Sequence, residues 1–85
     1  MSFRFKVSRV ANVAGIWTLD GILLEGQITH GAIACVQIDQ KLETILVRTV
    51  AFVSPARGSR AETTITIAPP PFDPLLLSGA ELRRK

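Results

Sequence analysis

The residues able to do chemistry are few and poorly placed for it. His30 is the only histidine of the 85-residue chain and Cys35 the only cysteine. Catalysis by either needs a positioned base, carboxylate or nucleophile beside it. Thr29-His30-Gly31 instead has the composition of a turn tip. The serines are scattered and none stands in a Gly-x-Ser-x-Gly elbow. The seven carboxylates include no pair spaced for acid–base work or for metal binding. No Gly-x-x-x-x-Gly-Lys-Ser/Thr loop cradles a phosphate. A single cysteine can form no intramolecular disulfide and no cysteine-based zinc site. In Ala34-Cys35-Val36 it reads as a buried small hydrophobe, in keeping with a reducing cytoplasm. The expectation is a protein that is not an enzyme, with no cofactor, no metal and no small-molecule substrate.

Binding is the chemistry left, and the basic residues are its first candidates. Arg4, Lys6 and Arg9 stand near one end of the chain and Arg83, Arg84 and Lys85 near the other. If the first and last strands pair, these six charges form one positive patch able to attract RNA phosphates. The competing reading is a solvated edge guarded against aggregation by charge. The formal charge of +3 permits contact with nucleic acid without demanding it. Trp17 is the candidate for a protein contact, because tryptophan is enriched at interface hot spots; the alternative is a core plug. Pro69-Pro70-Pro71-Phe72 reads either as an extended ligand or as a strand terminator.

The elements that position these residues read as strands. Val, Ile, Leu and Thr dominate the composition, which favours a pleated surface, and 47 % of the chain is hydrophobic, enough for a packed core in one domain spanning 1–85. Phe3, Phe5 and Val7 alternate with Arg4, Lys6 and Ser8, a period of two with one wet, basic face. Gly15 then supplies a turn or bulge. Thr18 to Leu24 and Ile33 to Ile38 suit strands, with Glu25-Gly26 and His30-Gly31 as punctuation and Ile28 plugging the core from the loop between. Glu43 to Val53 is a long apolar run whose phase slips near Thr49, predicting a bulge. Ser54 to Arg60 reads as a loop with Pro, Gly and two arginines at its tip. Thr63, Ile65 and Ile67 alternate with Glu62, Thr64 and Thr66. The prolines end that strand, and Asp73-Pro74 through Gly79 predict one short helical turn with a cap at each end. Ala80 to Arg83 form a last strand, with Arg84 and Lys85 expected to fray. Short strands with turns between them predict an all-β barrel or sandwich. Met1 to Lys6 lack the apolar run of a signal peptide, and no stretch approaches the ~18 apolar residues of a membrane span, so a soluble cytoplasmic protein is expected.

The segment Phe5-x-Val7, Val13-Ala14-Gly15-x-x-Thr18, Gly21, Gly26-x-Ile28 and Gly31 is the most specific pattern present. It resembles the second domain of translational GTPases, the barrel typified by elongation factor Tu. Leu77-Ser78-Gly79-Ala80-Glu81-Leu82 looks like the segment with which those barrels close. The resemblance implies a six-stranded antiparallel barrel, here without its GTPase. In that family the domain contacts the aminoacyl end of tRNA and the small ribosomal subunit; no motif carries those contact residues onto this chain. The expectation is a translation-associated binding module contacting RNA, a ribosome-associated partner or another protein. The alternative is a structural, self-associating homodimer.

Overall fold

The computed structural model describes residues 2–52 and 62–85. The predicted loop Ser54 to Arg60 and the end of the run at Val53 lie outside the described residues. Six strands occur in chain order: β1 (Phe3–Val13), β2 (Ile16–Gly26), β3 (Ile33–Ile38), β4 (Lys41–Phe52), β5 (Glu62–Ile67) and β6 (Glu81–Arg84), with a 3-10 turn (Pro74–Leu77) before β6. They close into an antiparallel barrel in the order β1-β2-β5-β4-β3-β6. The all-β six-stranded expectation is met.

Local sequence explains the individual elements. The β1–β2 hairpin turns on Ala14 and Gly15, whose φ angles of 52° and 84° give the twist that a two-residue hairpin needs. The Asn12 side chain braces this turn by accepting from the Gly15 N–H at 3.0 Å. β1 carries register shifts between Arg4 and Phe5 and between Val7 and Arg9 against β2. Such bulges bend the sheet so that it can close. The slip predicted near Thr49 is a bulge between Val47 and Thr49 in the β4–β5 pairing. It hands the inward position from Val47 to Val50, which packs against the core, and leaves Thr49 outside. There its hydroxyl and that of Thr66 share a 2.6 Å hydrogen bond.

The barrel interior is solid. Phe3, Phe5, Val7, Leu19, Ala34, Val36, Ile45, Val47, Ile65, Ile67 and Leu82 fill it from the strands, and Ile28 and Leu77 enter from loops. Ile28 is buried in the β2–β3 connection, as its place between the glycines predicts. The 3-10 turn is capped as read: the Asp73 carboxylate accepts from the Leu75 N–H at 3.0 Å, Pro74 starts the turn, and Gly79 leaves it at φ 81°.

Three expectations need correction. Gly26 belongs to the end of β2, paired with Phe3, and is not part of a free turn. Cys35 is only half-buried; the alternation of β3 turns Ala34 and Val36 inward, so Cys35 must face out. Arg84 and Lys85 do not fray, because β6 pairs with β3 as well as β1 and the Lys85 N–H donates to the Ile33 carbonyl at 3.1 Å.

Thr63 is 1 % exposed, and its hydroxyl has no hydrogen-bond partner. A buried unpaired hydroxyl is costly, and valine has nearly the same shape. Thr63→Val is therefore expected to stabilise the barrel by about 1 kcal/mol, read as a higher urea midpoint at constant m-value.

Candidate binding surface

The first and last strands pair, which brings together Arg4, Lys6 and Arg83 but not all six basic residues, and carboxylates arrive with them. β1 and β6 run antiparallel with Arg4 opposite Arg83 and Lys6 opposite Glu81. Two guanidinium groups side by side repel, and Glu81 resolves this by bonding to both. Arg4 reaches it through Nε and Nη2 at 3.2 and 3.0 Å, and Arg83 through Nε at 2.7 Å. Arg4 also reaches Glu25 on β2 at 3.5 Å. Arg9 stands beyond the bulge, paired with Asp20 at 2.9 Å, and Asp20 accepts a second bond from the Thr64 hydroxyl at 2.7 Å.

The six cations therefore divide. Arg4, Lys6 and Arg83 share one outer face, with Arg4 and Arg83 held by Glu81. Arg9 belongs to a separate pair. Arg84 and Lys85 line a groove at one end of the barrel with Phe3, Gln27, Thr29 and Ile33. Lys6 is exposed, and among the described residues it has no ion-pair partner.

Electrostatics follow from these contacts. Hydrogen bonds from Arg4 and then Arg83 hold the Glu81 carboxyl down at about 2, against an ordinary 4.5. The Thr64 hydroxyl, more than Arg9, lowers Asp20 below its ordinary value. A depressed carboxylate stabilises the fold above its unfolded pKa, and that contribution disappears as pH falls through the folded value. For Glu81 the window runs from 4.5 down to about 2. Wild type is thus expected to be more stable than Glu81→Gln near neutrality, with the two denaturation midpoints converging as pH falls to about 2. A gap that persists unchanged at the acid end would refute the Glu81 bridge.

Trp17 faces inward on β2, opposite Ile67 on β5, half-buried and packed against the core. This contact with the core lies at the hairpin end of the barrel. Pro69, Pro70 and Pro71 follow the last residue of β5, and Phe72 packs against the core. His30 is exposed in the β2–β3 connection. Among the described residues no group of three His, Cys, Asp or Glu side chains is placed to hold a metal ion. Among the same residues no helix is long and apolar enough to cross a membrane.

Sequence reasoning missed one surface altogether. Ile33, Leu46 and Leu42 point outward from β3 and β4, with exposures of 49 %, 43 % and 70 %. Ile33 stands directly opposite Leu46, and Cys35 opposite Thr44. Ile45, Leu46 and Val47 are apolar in succession, so the residues alone do not say which of the two faces meets the core. The available signal was Ile33-Ala34-Cys35-Val36, where alternation exposes either the larger or the smaller side chains.

Comparison with protein-family models, with curated proteins and with solved structures finds no match to this chain.

Proposed function

We propose that this chain is a non-catalytic binding module, similar to the barrel of translational GTPases, that contacts a protein partner through its outer surface. Its place of work is the cytoplasm, in a translation-associated role. The interior is filled by side chains, which directs any ligand to the outside. The observation that carries the protein reading is the apolar row Ile33, Leu46 and Leu42 left on that outside. Among the terminal cations, Arg4, Arg9 and Arg83 already hold carboxylates, so phosphates would have to compete for them.

The second reading, structured RNA, is favoured by the juxtaposition of Arg4, Lys6 and Arg83 on β1 and β6. A cell lysate passed over the immobilised chain separates the two. Retention that survives RNase and is lost to protease supports a protein partner. Retention lost to RNase, together with salt-sensitive binding of tRNA or ribosomal RNA below about 100 mM salt, transfers the function to RNA. The homodimer alternative requires that light scattering never show the 9.2 kDa species.

A further inference from the structure

The three neighbouring strands β6, β3 and β4 present an outer face with a consistent layout. Cys35 sits between Arg83 on β6 and Thr44 on β4. Ile33 sits between Lys85, whose N–H it binds, and Leu46. Leu42 extends the apolar row along β4 opposite Gln37, and Arg48 stands exposed two residues beyond Leu46. The face is therefore an aliphatic strip bordered by Lys85 and the Arg83–Glu81 pair along one side and by Arg48 at one end. Its other positions, Cys35, Thr44 and Gln37, are neutral. Glu81, on the β6 side of the strip, is already bonded to Arg4 and Arg83. Arg48 and Lys85 have no ion-pair partner among the described residues.

We infer that this face docks a protein segment that carries aliphatic anchors flanked by carboxylates. The inference rests on the protein-binding reading above and adds the site and the chemistry of the partner. Complementary charge selects partners and steers their approach, while apolar anchors supply most of the affinity. A second copy of this chain is a poor occupant, since it would set Lys85 and Arg48 against their own kind. RNA is also a poor occupant. Single-stranded bases stack on aromatic rings, whereas the strip is aliphatic and Phe3 and Phe5 are sealed in the core.

The test is an amide-shift titration of the whole isotopically labelled chain with three short synthetic peptides. One alternates Asp with Leu, one Lys with Leu, and one Asp with Ser. The Asp-Leu peptide is expected to move the amides of Ile33, Cys35, Leu42 and Leu46, and the other two to bind there at least about tenfold more weakly. Leu42→Asp, at a position 70 % exposed, is expected to weaken the Asp-Leu peptide about tenfold while the spectrum stays dispersed. Arg48→Glu is expected to weaken it several-fold and to relieve the Lys-Leu peptide. Equal binding of the Lys-Leu peptide overturns the acidic assignment. Shifts centred on another face overturn this site and leave the binding module standing. Movement of the same amides with chain concentration alone assigns the face to a second copy, and movement with tRNA assigns it to RNA; either overturns the inference. Silence from all three peptides removes this inference, and the module reading falls with it only if the lysate experiment also retains nothing.

Discussion

Gly21→Ala is expected to cost about 3 kcal/mol, a large part of the roughly 4–13 kcal/mol that holds a chain of this length folded. Gly21 lies in β2 between Val7 on β1 and Thr63 on β5, fully inside the barrel wall. A Cβ there would overlap the Lys6 carbonyl oxygen and come within 2.7 Å of Phe5 Cζ. The carbonyl cannot retreat without breaking the β1–β2 ladder, and the Phe5 ring is at 0 % exposure with no room to swing. Phe5 fills the volume that the missing side chain leaves. Gly31→Ala is the matching control. Its Cβ meets nothing, so only the backbone at φ 81° is strained, costing about 1–2 kcal/mol. Phe5→Leu in the Gly21→Ala background is expected to restore little, because the backbone overlap remains. Urea denaturation reads all three. A Gly21→Ala midpoint indistinguishable from wild type would mean that the strands do not approach as closely as described.

Leu77→Ala is expected to cost about 2–5 kcal/mol, whereas Leu75→Ala stays within about 0.5 kcal/mol of wild type. The two residues stand in the same 3-10 turn, but Leu77 is fully buried in the core and Leu75 is 59 % exposed. Leu77 also seats the segment that closes the barrel. Its carbonyl accepts from the Ala80 N–H at 3.0 Å, the Gly79 N–H donates to the Val7 carbonyl at 3.0 Å, and the Val7 N–H donates to the Ala80 carbonyl at 2.9 Å. A cavity at Leu77 should loosen these bonds before the rest of the sheet opens. Hydrogen exchange at the Val7 amide should accelerate in Leu77→Ala more than exchange at β5 amides, which lie across the barrel. Uniform acceleration would instead make the turn part of one cooperative unit.

The contrast between Leu75 and Leu77 shows where sequence stops being legible. Leu75-Leu76-Leu77 offers three identical side chains, and a single turn is too short for a period to single one out. In β1 and β5 the reading succeeds because polar residues occupy every second place, so Phe3, Phe5, Val7, Thr63, Ile65 and Ile67 declare their face. In β3 and β4 both faces carry apolar residues, so alternation alone does not tell whether Ala34 or Cys35, or Ile45 or Leu46, meets the core. The candidate surface was half legible. The pairing of the terminal strands followed from where the charges lie, but Glu81 binding Arg4 across 77 residues did not. Nothing local announces an ion pair between strands until their register is known.

The sequence alone determined the strand class, the turns at Gly15, Gly31 and Asp73-Pro74, the bulge near Thr49 and the plugging role of Ile28. Each of these is set by neighbours within a few residues, through φ preference, capping or alternation. The ties of Arg4 and Arg83 to Glu81, and the outward row of Ile33, Leu42 and Leu46, emerge with the assembled barrel. Both depend on which strand lies beside which and in what register, a choice made by closure of the whole barrel.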